Sequence, residues 1–228
     1  MAPDQKKITV KVFEPLLTLF MDHLKSCFIQ RDAFVNHILT LEIEHLAKDL
    51  EGKRLSDKAR RHITRSLRDV KAGTKTINIV VDNSVSKALG KVVVESNLVR
   101  DAFFNRLFLF LCAKDELLSR LHLPTDTSDR FFNQWSFQRP TAPMGAVSEV
   151  LSDPLWALRE ACQDTHEEGL YLIHLGTQYD GFACWMDDAS VPGTSERRKL
   201  LRGLDVKGAA RRMAALEKQS TSVIGKKE

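Results

Sequence analysis

Arg31-Asp32-Ala33-Phe34-Val35-Asn36 and Arg100-Asp101-Ala102-Phe103-Phe104-Asn105 differ at one position, and they sit at the centre of a longer repeat. Residues 7–48 align without a gap on residues 76–117 at an offset of 69. Seven positions are identical: these five, Ile8/Ile77 and Val12/Val81. Chance matching over such a window would give roughly two or three. Apolar positions correspond too: Val10/Ile79, Leu16/Val85, Phe20/Leu89, Leu24/Val93, Ile29/Leu98, Ile38/Leu107 and Leu41/Phe110. An internal repeat outranks any single-residue signal, because it says that one structural unit is used twice.

Each copy opens with a period-two run, the pattern of a strand with one buried face. In Lys7-Ile8-Thr9-Val10-Lys11-Val12 the isoleucine and valines point one way and Lys7, Thr9 and Lys11 the other. In Thr76-Ile77-Asn78-Ile79-Val80-Val81 the outward residues are Thr76, Asn78 and Val80. A helix follows, with Leu16, Phe20 and Leu24 at four-residue spacing, matched by Val85, Leu89 and Val92 or Val93. Pro15 suits the first turn of the first, and Asp82 or Asn83 would cap the second. A break is predicted near Cys27-Phe28 and Ser96-Asn97. A second helix then starts near Arg31 or Arg100 and is expected to reach about Leu50 or Leu121.

Strand, helix, helix in about 45 residues buries neither its apolar faces nor its strand's backbone groups alone. Two units solve both problems by pairing strand with strand, antiparallel, over the helices. The unit resembles the ribbon-helix-helix fold of Arc- and MetJ-type DNA-binding proteins, and the start of the second helix looks like that family's apolar-Ser-Arg-Ser-x-apolar pattern. The resemblance covers about 115 residues. It implies a mainly α fold with short β, a single-chain pseudo-dimer in which one chain supplies both strands. Two departures stand out. The family's Ser or Thr cap falls on Gln30 or Val99, and its turn glycine on Phe28 or Asn97. Asn tolerates a left-handed turn and Phe does not readily, so the first turn is expected to differ in shape.

The organisation expected is a first unit at 1–50, a basic linker at 51–75, a second unit at 76–123, an acidic C-terminal α+β domain at 124–190 and a basic tail at 191–228. Net charge is +4 but uneven: +5 over residues 1–75, +1 over 76–123, −8 over 124–190 and +6 over 191–228. A polyanion is attracted by the first and last segments and repelled by 124–190. In the linker, Ser56 or Asp57 would cap a short helix with Leu55, Ala59, Ile63 and Leu67 inward and Lys58, Arg61, Arg65 and Arg68 outward. A solvated connecting helix explains that pattern more readily than phosphate contact does.

All three tryptophans, Trp135, Trp156 and Trp185, fall in 130–190, where 155–162 looks helical and the runs 170–175 and 182–186, flanking Gly176 to Gly181, read as a hairpin. Asp164, His166, Glu167, His174 and Asp180 match no metal or catalytic motif, so neither an enzyme nor a metal or cofactor site is expected. The helices expected in the tail are 197–204 and 209–218. Cys27, Cys112, Cys162 and Cys184 have no Cys-x-x-Cys spacing and read as reduced thiols. No apolar stretch reaches about 18 residues and the first residues lack a signal peptide's apolar core, so no membrane contact and a cytoplasmic, bacterial nucleoid location are expected.

The partner implied by the resemblance is double-stranded DNA. A two-stranded ribbon fits the major groove, where each base pair shows its own donor and acceptor pattern. Lys7 and Lys11 would donate to guanine, Asn78 would pair with adenine, Thr9 and Thr76 would bond or touch a thymine methyl, and Val80 would meet only a methyl. The second-helix starts, near Gln30-Arg31 and Val99-Arg100, would bind phosphate through free N–H groups and the dipole end. For Arg31 and Arg100 a structural ion pair is the equal alternative. The function expected is a transcriptional regulator, with residues 124–190 serving a homo-oligomer or protein partner. An accessory protein of plasmid transfer or partition, or an antitoxin-like interaction protein, are the alternatives.

Overall fold

The structure, a computed structural model, describes residues 4–70, 73–123 and 152–198. Its elements run β1 (Gln5–Phe13), α1 (Glu14–Ser26), α2 (Arg31–Asp49), α3 (Asp57–Arg68), β2 (Thr74–Asp82), α4 (Asn83–Glu95), α5 (Arg100–Leu111), α6 (Asp115–Arg120) and α7 (Trp156–His166), followed by a 3-10 helix, Thr177–Phe182. The described residues are mainly helical, with one antiparallel two-stranded sheet. None of their helices is long and apolar enough to cross a membrane.

The repeat in the sequence is a repeat in the backbone. β1, α1 and the start of α2 recur as β2, α4 and the start of α5 at the offset of 69. The strand register obeys the same number. Thr9 lies opposite Asn78, its own repeat equivalent, with Lys7 opposite Val80 and Lys11 opposite Thr76. The pairing is therefore centred on the repeat. At the ribbon's two ends, Asn83 N–H donates to the Asp4 carbonyl (2.8 Å) and Glu14 N–H to that of Gly73 (3.3 Å), again equivalent positions.

Period two holds on both strands. Ile8, Val10, Val12, Ile79 and Val81 are buried, and the intervening residues face outward. Beneath them α1 inserts Leu16, Phe20 and Leu24, and α4 inserts Val85, Leu89 and Val92. The copies share one core: Phe20 of the first stacks on Phe108 of the second, centroids 4.3 Å apart.

Both α-helix breaks have the same form. Phe28 and Asn97 sit in the left-handed region, at φ 58° and 53°. Ile29 N–H reaches back to Leu24 O (2.9 Å), and Leu98 N–H to Val93 O (3.0 Å). Phe28 N–H bonds Lys25 O (3.1 Å) and Asn97 N–H bonds Val94 O (3.4 Å). These are Schellman motifs. The first turn, expected to differ in shape, thus matches the second despite its phenylalanine, held there by the same paired hydrogen bonds.

Three sequence expectations are corrected. The second helix of the second copy ends at Leu111, not Leu121, and α6 is a separate short helix. No hairpin forms over 170–186: Leu170 to Leu175 turn, and Thr177–Phe182 is a 3-10 helix. Backbone groups there are spent elsewhere: Arg106 binds the Leu170 and Ile173 carbonyls, Asp49 accepts from Tyr171 N–H (2.9 Å), and Leu172 N–H turns back to Gly169 O (2.9 Å). No ladder is left to make. The described part of 124–190 therefore adds no strand, and Leu155, Cys162, Leu170, Tyr171 and Phe182 belong to the same core as the ribbon.

The linker folds as expected. Ser56 Oγ accepts from Ala59 N–H (3.0 Å), and α3 buries Ala59, Ile63 and Leu67. The chain divides into two compact units after Met186. In the second, Thr194 Oγ1 accepts from Arg197 N–H (3.1 Å) and caps a helical turn at 195–198. That turn begins two residues before the expected 197. Trp135, with residues 199–204 and 209–218, lies outside the described residues.

Candidate nucleic-acid interface

The solvent face of the ribbon is built by strand parity. Lys7, Thr9 and Lys11 of β1 and Thr76 and Asn78 of β2 are exposed on it. Val80, expected with them, is half-buried, and its N–H donates to Asp32 Oδ2 (3.3 Å). At the centre, Thr9 Oγ1 donates to Asn78 Oδ1 (2.8 Å), so the two middle side chains form one unit across the strands. That bond occupies the Asn78 side-chain carbonyl. The face is chemically one-sided, with cations Lys7 and Lys11 from β1 against neutral Thr76 and Asn78 from β2.

Sequence reasoning missed three exposed residues at the ribbon ends, two of them cations. Gln5 shares the outer parity, opposite Asp82. Lys6 and Lys75 have core-face parity yet are exposed, because the helices below do not extend beneath the strand ends. Alternation carried through to the strand tips would have found Gln5. No sequence signal marks where the covering helices stop.

The second-helix starts stand beside this face. The Arg31 guanidinium donates to Asn78 O (2.8 Å) and to Asp32 Oδ1 (2.7 Å). Arg100 Nη2 donates to Thr9 O (2.6 Å). Each arginine thus clasps the centre of the other copy's strand. Asn36 and Asn105 do likewise, with Asp82 N–H donating to Asn36 Oδ1 and Phe13 N–H to Asn105 Oδ1, both 2.8 Å. The shared Arg-Asp-Ala-Phe-x-Asn motif is therefore a strand clasp. Gln30 and Val99 are the N-cap residues, and neither side chain caps the helix, so the first-turn N–H groups are not satisfied by a cap.

The other candidates of the sequence disperse. His166 bonds the Leu121 carbonyl (2.8 Å), His174 Nδ1 lies 3.2 Å from Gly176 N–H, and Asp180 pairs with His62 on α3 (2.8 Å). Among the described residues no three His, Cys, Asp or Glu side chains cluster to hold a metal. All four cysteines are free thiols, and burial pushes Cys112 up to about 11 and Cys162 and Cys184 to about 12, so these three stay protonated. Polar groups are concentrated instead where the C-terminal segment meets α2. There Glu42 accepts from Tyr171 OH (2.6 Å) and pairs with Arg159, which also pairs with Asp153. Desolvation raises the Glu42 and Asp49 carboxyls above their ordinary range. These groups are spent on docking.

The chain matches no protein-family model, no curated protein and no solved structure.

Proposed function

We propose that this protein is a sequence-specific double-stranded DNA-binding protein, a transcriptional regulator, built as a single-chain pseudo-dimer of two ribbon-helix-helix units. The observation that carries this reading is the antiparallel ribbon centred on the repeat, with a polar, lysine-bearing face and a helix N-terminus on either side. A two-stranded ribbon of this kind fits the major groove. Lys7, Thr9, Lys11, Thr76 and Asn78 would meet base edges, while backbone N–H groups near Gln30 and Val99 would meet phosphate. Val80 contributes a methyl contact at most. Arg31 and Arg100 act chiefly by fixing the strand centres that do the reading.

The two strands differ, so the two half-sites should differ. The segment 152–186 folds on the core instead of trailing as a free tail, which disfavours the antitoxin reading. Selection of bound sequences from random duplex DNA tests the proposal. A recovered core with unlike halves is expected. Lys11→Ala with Asn78→Ala should lose the matched site by about 1–3 kcal/mol per bidentate contact while leaving the thermal melt unchanged. Wild-type affinity in the folded double variant would remove the ribbon as the reading element.

A further inference from the structure

The linker helix α3 presents a charged stripe that the ribbon does not use. Its sequence, DKARRHITRSLR, holds five cations besides His62 and one carboxylate. Lys58, Arg61, Arg65 and Arg68 follow one another at spacings of three, four and three, which places them on one face of a helix. All four are exposed. The opposite face is occupied. Ile63 and Leu67 are buried, His62 bonds Asp180, and the backbone of Leu67 lies against Gly181, where an added Cβ would come within 2.7 Å of Leu67 N. The acidic C-terminal segment thus packs behind α3 while its basic stripe looks away from the core.

The position of the helix gives the stripe its meaning. Its start is tied to the turn that leads into α5: Leu55 N–H donates to Ser96 O (2.9 Å), Asn97 Nδ2 donates to Leu55 O (2.9 Å), and Arg60 bonds the Asn97 side chain. Five residues separate its end from the start of β2 at Thr74, opposite Phe13. So α3 starts beside the turn before α5 and ends five residues short of the ribbon's second strand. From residue 58 to 68 the stripe rises about 15 Å. Over that length one DNA strand presents about four phosphates.

We propose that α3 is a second DNA-contacting element, a phosphate-backbone clamp flanking the second copy's half-site. It lengthens the footprint on that side without reading bases. The clamp rests on the DNA-binding reading above. The first copy has no such neighbour among the described residues: its turn stands open, with Phe28 97 % exposed, whereas Asn97 is 9 % exposed.

The test uses the full chain and a duplex carrying a site it selects, with a scrambled duplex of equal length. Binding is followed by fluorescence anisotropy across a salt series. The variant Arg61→Gln, Arg65→Gln, Arg68→Gln changes only exposed positions. The control Lys48→Gln, Lys87→Gln, Lys91→Gln removes the same charge from α2 and α4. In the α3 variant the slope of log affinity against log salt should flatten by about 2–3, with roughly tenfold or greater loss on both duplexes and an unchanged matched-to-scrambled ratio. The control should keep the wild-type slope. Hydroxyl-radical footprinting of wild type should show protection reaching further on one flank, and the α3 variant should lose that flank alone. This readout on wild type does not depend on the variant folding. A wild-type slope in the α3 variant, with matched-site binding still sensitive to Lys11→Ala and Asn78→Ala, overturns the clamp and spares the ribbon. Equal slope losses in variant and control also overturn it. Absence of duplex binding by wild type overturns both.

Discussion

The two turns at Phe28 and Asn97 have one backbone and two surroundings. Both are Schellman motifs with the left-handed residue at the same position and the same back-bonds. Around Asn97 the linker closes in, and Ser96, Asn97, Leu98 and Val99 are all buried. Around Phe28 nothing described closes in, and Cys27 and Phe28 face solvent. The second helices diverge in the same way. α5 buries every residue from Ala102 to Phe108, while α2 keeps Ala33, His37, Thr40 and Glu44 exposed. The equivalent of His37 is Arg106, which is fully buried and gives its guanidinium to the Leu170 and Ile173 carbonyls. Duplication supplied two equal frames. The linker then closed over the turn of the second copy alone, while the C-terminal segment packs on both, through Arg106 of α5 and through Glu42 and Asp49 of α2.

The comparison breaks most visibly in the core. Phe103→Ala should cost about 3–5 kcal/mol, because the ring is fully buried against Phe104 and Tyr171. Its equivalent Phe34 is half-buried, and Phe34→Ala should cost roughly half as much. Urea unfolding of both variants decides it; equal losses would mean that the copies are energetically alike.

Next come the asparagines of the clasp. Asn105 is buried and holds Phe13 N–H, Lys11 O and Asp101 O (2.7–2.8 Å). Asn105→Ala should cost about 2–3 kcal/mol through orphaned buried groups, and Asn36→Ala nearer to 1. Hydrogen exchange at the Phe13 and Asp82 amides would show each loss locally.

A pH effect sharpens the picture on the α2 side. Burial raises Glu42 and Asp49, so the folded chain holds their protons more tightly than the unfolded chain does. Stability should therefore fall as pH climbs from the ordinary carboxylate range through the raised values. Replacing Glu42 by Gln should flatten that decline in melts taken at closely spaced pH. An unaltered slope would assign the effect elsewhere.

The smallest effect is opposite in sign between the turns. Phe28→Gly removes a bulky side chain from a left-handed position and should stabilise by up to about 1 kcal/mol. Asn97→Gly relieves little strain and loses the bonds to Leu55 and Arg60, so it should destabilise by about 1 kcal/mol. Matching signs would erase the distinction drawn between the turns.

Strands, helix starts and the inward face of α3 were legible in the sequence, because each rests on local periodicity and spacing. Other features were not. The stop of α5 at Leu111 was hidden, since apolar residues resume at Leu117 and Leu118 beyond Lys114-Asp115-Glu116 and periodicity alone does not mark the break. The hairpin expected near 176–181 failed because Arg106 and Asp49, far away in the chain, claimed the backbone groups a ladder needs. For Arg31 and Arg100 the spacing left phosphate contact and structural pairing equally open, and only the folded strands show carbonyls within reach.

By itself the sequence determined that one unit occurs twice, at an offset of 69, with an alternating strand ahead of two helices. It did so because periodicity and repetition are written along the chain. The tertiary structure alone decided that the strands pair about Thr9 and Asn78, that the shared motif clasps the opposite strand, and that the linker covers the second copy's turn while the first copy's turn stays open. The strand pairing, the clasp and the docking surfaces depend on which distant backbone groups and apolar surfaces meet, and no local pattern of residues encodes such a meeting.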